Sequence, residues 1–267
     1  MTVLAVNNEL LCEIFSSTRS LLYPCSDKEA IERQIQAAKD LQDYIDSLSG
    51  GHDAGWFRIV KTAKEAREVI ESGKLAVVLG VEVSNFLDCS RGRCTEKDVD
   101  KVDERLERLH QLGVRQVFMV HEFDNDFGGA PLFNAPIVLA NYLKTGKYFD
   151  VEDCSADTFG YKYDPISLSD SVAPRLVTGT GELLRWNPFR VVQAGILGTH
   201  YEFPDIGSGL RGLGAMVPYP FYSGEAHCNK RGLTDLGKHL LYRLMDKRMI
   251  VDIDHTSTKM ANDMLEI

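Results

Sequence analysis

Strand-length apolar runs alternating with amphipathic helical stretches constrain this chain more than any other feature. The clearest run is Leu75-Ala-Val-Val-Leu-Gly-Val81. It is continuous rather than alternating and rich in valine, which suits a parallel strand buried on both faces. Val114 to Val120 and Met249 to Ile253 repeat the pattern, and Trp56 to Val60 suits a shorter strand. From Asp27 to Leu48, the residues Ile31, Ile35, Ala38, Leu41 and Ile45 recur at helical steps, with Ser26 as N-cap and Gly50-Gly51 as a stop. Thr62 to Ser72, Lys97 to Leu112, Leu233 to Lys247 and the stretch from Ala261 also read as helices, with Gly73 and Gly113 as C-caps of the first two. Such alternation builds βα units around a parallel sheet.

A closed barrel and an open doubly wound sheet both satisfy this pattern, and the polar residues choose between them. Chemistry in parallel α/β folds collects at the C-terminal ends of strands. Three predicted strand ends carry a residue able to bind a metal: Glu82, His121 and His255. There is no glycine-rich phosphate loop of either common pattern. The expectation is one (β/α)8 barrel domain over 1–267, a usual length for such a fold. From about Asp126 to Lys230 the pattern lapses into a stretch rich in Gly, Pro, Tyr and Asn. It is far longer than a normal connection of about 2–6 residues. It reads as an insertion after the His121 strand, forming a pocket wall or lid, with a short helix at Pro136 to Leu143.

A formal net charge of −9 argues against nucleic acid or an anionic membrane as partner. No apolar run approaches the roughly 18 residues of a membrane span. The start, MTVLAVNNELLCEIF, lacks the basic cluster and cleavage site of a signal peptide. The six cysteines include no CxxC pair. Cys89 and Cys94 flank a polar turn, where a local disulfide and two free thiols are both open readings, so the compartment is open as well.

Hard cations take carboxylate oxygen, and zinc accepts imidazole with carboxylate. A glutamate and two histidines from three strand ends can therefore meet over one cation. Each has a blander role available: Glu82 as a helix cap or ion-pair partner, His121 and His255 as structural histidines. Asp252 and Asp254 share a strand face, near the site or bridged to a helix. His110 and His239 fall within helices, His52 in a glycine-rich turn, and His200 and His227 in the insertion. No GxSxG elbow or cysteine-nucleophile signature occurs.

Four segments carry a resemblance: Gly73-Lys-Leu-Ala-Val-Val-Leu-Gly-Val-Glu82, Leu112-Gly-Val-Arg-Gln-Val-Phe-Met-Val-His121, Gly232-Leu-Thr-Asp-Leu-Gly237 and Met249-Ile-Val-Asp-Ile-Asp-His-Thr-Ser257. In order and character they resemble the renal (membrane) dipeptidase family of amidohydrolase-like metal-dependent hydrolases. The resemblance spans about Thr62 to Asn125 and Arg231 onward. It implies a (β/α)8 barrel with a binuclear zinc centre and a metallopeptidase activity that hydrolyses dipeptides. It implies that Glu82 bridges two metals, that His255 is a metal ligand, and that His121 is a catalytic residue contacting the substrate. The implied nucleophile is a metal-bridging hydroxide.

The chain departs from that family in three ways. No His-x-Asp pair precedes Glu82; Val83-Ser84 stand where glycines usually follow the glutamate; and the family's later histidine and aspartate lie on strands beyond the His255 helix. The expectation is a fragment of a longer chain whose remainder completes the barrel. The rivals are an inactive barrel serving as a binding or structural protein, and a metal-dependent hydrolase of an ester or lactone. The expected partner is a small dipeptide or amide substrate, and a homodimer is open.

Overall fold

The computed structural model describes residues 1–9, 12, 25–132, 135–154, 222 and 226–267. The chain alternates strand and helix from its start. Strand β1 (Thr2–Asn7) leads to helix α1 (Asp27–Leu48), β2 (Phe57–Ile59), α2 (Ala63–Glu71) and β3 (Leu75–Val83). Two short 3₁₀ turns, Phe86–Asp88 and Glu96–Asp98, precede α3 (Val99–Leu112) and β4 (Val114–Phe118). Helix α4 (Ala135–Thr145) and strands β5 (Val151–Asp153) and β6 (His227–Asn229) follow, then α5 (Asp235–Asp246), β7 (Ile250–Asp252) and α6 (Thr258–Leu265).

Strands β1, β3, β4 and β7 lie side by side in that order, and β2 pairs with the first residues of β3. Every pairing in this sheet is parallel. The fold is therefore α/β with a mainly parallel sheet. The described strands form an open sheet, where the sequence led us to expect a closed eight-stranded barrel. Strand β1 is an addition: Thr2 to Asn7 pairs along Val78 to Val83, although its short apolar run did not read as a strand.

The core lies on one side of the sheet. Leu79, Val81, Val83, Val117 and Met119 pack there against Ile31 and Ile35 of α1, Val102 and Leu106 of α3, and Leu240 and Leu244 of α5. All eleven are at most 2% exposed except Ile31 at 4%, and such close-packed burial supplies the main favourable term in folding. The opposite face carries a polar row. Thr2 donates to the Gln116 side chain at 2.9 Å, and Gln116 donates to Asp252 at 2.8 Å. Asp252 thus binds across the sheet, while Asp254 lies past the strand.

Local signals account for the helix ends. Thr62, Thr234 and Ser257 each cap α2, α5 and α6 by accepting a backbone N–H three residues on. Gly113 closes α3 in the left-handed conformation, φ 102°. Ser26 sits at the N-cap of α1 but makes no side-chain capping bond. At Gly237 the first turn of α5 runs against the loop after β4; a Cβ there would collide with the Phe127 carbonyl oxygen.

The insertion's two ends are tied together. Strands β5 and β6 pair antiparallel, and the disulfide from Cys154, just past β5, to Cys228 within β6 joins them. Two further disulfides, Cys12–Cys25 and Cys89–Cys94, leave no free cysteine. The lid or pocket wall expected of the insertion falls mainly on residues 155–221, outside the described ones, as does His200.

Candidate metal centre

Three strand ends meet over one spot. Glu82 is the penultimate residue of β3, His121 follows β4 by three residues, and His255 follows β7 by three. Parallel pairing puts all three at the same edge of the sheet. The Nε2 atoms of His121 and His255 each lie 3.3 Å from the same carboxylate oxygen of Glu82. The imidazole rings meet edge to face with centroids 4.6 Å apart, and His255 leans in the same way on Phe118 at 5.9 Å. His255 has φ 64°, a strained setting for a residue with a Cβ, and this turn delivers its ring to Glu82.

One ligand atom from each residue falls within 4.8 Å of the others. Two donors on a tetrahedral zinc, each at about 2.0–2.1 Å, stand about 3.3 Å apart. Both imidazole–carboxylate separations match that figure, and they exceed the usual mode for an N–H···O bond of about 2.9–3.0 Å. By distance alone, His121 and Glu82 pass for an ion pair. Burial, with the adjacent His255 second, pulls the His121 imidazole down to about 4, so the ring is neutral near pH 7. The contact is therefore that of a neutral ring beside a carboxylate, and by tautomer such a ring can offer either a lone pair or a proton at Nε2. Buried Nδ1 of His121 has no hydrogen-bond partner among the described residues.

Behind His121 lies a dense polar scaffold. Asp124, Asn125 and Asp126 are all buried. Asp124 pairs with Arg91 at 3.0 Å and accepts from the Ala130 N–H and the Asn229 amide. Asn125 donates to the Met119 carbonyl and accepts from the Phe127 N–H. Asp126 accepts from the backbone N–H groups of Gly92, Arg93 and Cys94, so it grips the loop closed by Cys89–Cys94. The polar cluster that ends β4 is thus chiefly a brace, and β6 is fastened to it through Asn229.

Beside Glu82 stands the end of β1, with Val6 in register with Glu82. Three carboxyls gather there that sequence reading did not single out. Glu122 is bonded by the Asn8 amide; burial, then the charges of Glu82 and Asp27, push it up to about 7. Asp27 accepts from the Asn7 amide at 2.6 Å and the Asn85 N–H at 2.9 Å; burial nonetheless raises it to about 6. Glu9 pairs with Lys144 of α4 at 3.1 Å. Their signal in the sequence was weak, because each depends on a contact between distant segments.

The remaining histidines stand elsewhere. His52 pairs with Asp53 on the surface, and His239 of α5 meets Asp103 of α3 at 2.9 Å. His110 lies on α3, and His227 is buried in β6 near Tyr222. None joins Glu82, and no other group of potential metal ligands occurs among the described residues. No helix there is long and apolar enough to cross a membrane.

No protein-family model matches the chain, and no curated protein matches it. Two solved structures are similar in part. One is a metallo peptidase from Rhodobacter sphaeroides liganded with a phosphinate mimic of the dipeptide L-Ala-D-Ala, at 12% identity and a TM-score of 0.42. The other is dipeptidase AC, a metallo peptidase of family M19, at 12% identity and 0.41. Each alignment covers all of this chain but only 48% and 47% of the other, so the chain spans about half the length of these structures.

Proposed function

We propose that this chain is a metal-dependent hydrolase of dipeptides or related amides, with zinc held by Glu82 and His255 and with His121 facing the substrate. The observation that carries the reading is the convergence of one carboxylate and two imidazoles, from three parallel strand ends, at zinc-like spacing. The architecture that goes with it is a (β/α)8 barrel of which 1–267 forms one domain's incomplete part, with the insertion from about 126 to 230 beside its mouth.

Glu82 supplies a carboxylate oxygen to the centre, and His255 an imidazole nitrogen. A bound zinc supplies Lewis acidity that polarises a carbonyl and acidifies water. His121 is neutral near pH 7. In the tautomer with its proton on Nε2 it can donate to an oxygen that gains charge as the amide carbonyl turns tetrahedral. The brace of Asp124, Asn125 and Asp126 fixes the loop that carries it, which keeps this geometry in place before substrate arrives.

A cation-free binding protein is the second reading, favoured by the amides and paired carboxylates at the end of β1. The deciding experiment assays zinc-loaded and chelator-treated protein on dipeptides, N-acyl amino acids and lactones. Zinc-dependent cleavage of dipeptides, lost in Glu82→Gln, is the expected result. Turnover unchanged by Glu82→Gln defeats the assignment of that residue, and cleavage of lactones alone moves the substrate class.

A further inference from the structure

We propose that this centre takes a single divalent cation, because the strand end beside Glu82 is filled by internal bonds and by the ammonium of Lys144. The inference rests on the reading that Glu82 and His255 hold a cation.

Glu82, His121 and His255 provide one converging set of donor atoms. A second cation about 3.5–4 Å from the first needs donors of its own. The place for them is the end of β1, next to Glu82 in the sheet. There, Asn7 turns its amide N–H groups inward, to the Cys25 carbonyl at 2.8 Å and to Asp27 at 2.6 Å. Asn8 spends its amide on Glu122. Asp27 has its other oxygen on the Asn85 N–H. A carboxylate already receiving N–H groups has fewer lone pairs for metal.

The fourth group settles the charge. Glu9, the remaining carboxylate here among the described residues, pairs with Lys144 at 3.1 Å, with both side chains only 20–21% exposed. Lys144 arrives on α4, 135 residues along the chain. An ammonium compensates a carboxylate without needing ligands, and it repels a dication brought close. The bridging role that the resemblance implies for Glu82 thus contracts to that of a ligand to one ion.

Native mass spectrometry of the 267-residue chain after zinc loading and desalting tests this directly. The reading is the zinc retained by the wild type minus that retained by Glu82→Gln, which discounts ions on surface histidines. A difference of one supports the proposal. A difference of two overturns it while leaving the hydrolase reading intact. A difference of zero overturns both. In Lys144→Met, Glu9 is released and a second, weaker zinc is expected; a count that stays at one removes Lys144 from the explanation.

Discussion

The ends of β1 and β3 are hydrogen-bonded neighbours, yet they spend their polar side chains in opposite ways. At β3, Glu82 faces two imidazoles at 3.3 Å, a spacing suited to a shared ion. At β1, Asn7 and Glu9 are closed off at 2.6–3.1 Å by Asp27, Cys25 and Lys144. Proximity to a strand end therefore does not make a ligand. What matters is whether folding has already satisfied the donor atoms, because a satisfied buried network resists giving up its bonds.

The largest way to break this contrast is Glu82→Gln. It should weaken zinc binding by more than about a hundredfold, since even outer partners of a metal site are worth about 10–100-fold. Titration against a chromogenic chelator measures it, and an unchanged affinity would mean that β3 is no more open than β1.

Next in size is Asp124→Ala. It strands Arg91 and leaves the Ala130 N–H and Asn229 amide without their acceptor. A loss of about 3 kcal/mol is expected, as for breaking a buried ion pair. Urea denaturation reads it; a change near zero would show that the loop bearing His121 stands without its brace.

The smallest effect sharpens the β1 side. The folded Asp27 carboxyl keeps its proton up to about pH 6, against 3.8 for the ordinary group. The folded state is therefore penalised above pH 6, and the penalty fades as pH falls through 6 and is gone below 3.8. Relative to Asp27→Asn, the wild type should gain about 2 kcal/mol in stability between about pH 7.5 and 4.5. Parallel denaturation curves that keep the same separation at both pH values would contradict it.

Much of this arrangement was legible in the order of residues. The helices at Asp27–Leu48 and Val99–Leu112 follow their apolar period, and β3 its unbroken valine-rich run. That Glu82, His121 and His255 sit together also follows from parallel strands ending at one edge. Strand β1 was hidden because its apolar run is short and polar residues follow at once. Strands β5 and β6 have three residues each, too few for any period, and they owe their pairing to partners 74 residues apart. The filled end of β1 was hidden for a related reason: Asn7 meets Asp27 across 20 residues and Glu9 meets Lys144 across 135, and local sequence carries no record of either.

The bond between Cys154 and Cys228 has a topological consequence. It makes the stretch between those two residues a covalently closed ring, shut at the two-stranded neck of β5 and β6. A protease that nicks the ring once yields two polypeptides that still travel as one molecule, and only a reducing agent lets them part. Processing of this kind would pass unseen on a non-reducing gel, and the segments bearing Glu82 and His255, one on each side of the neck, would stay covalently joined after the cut.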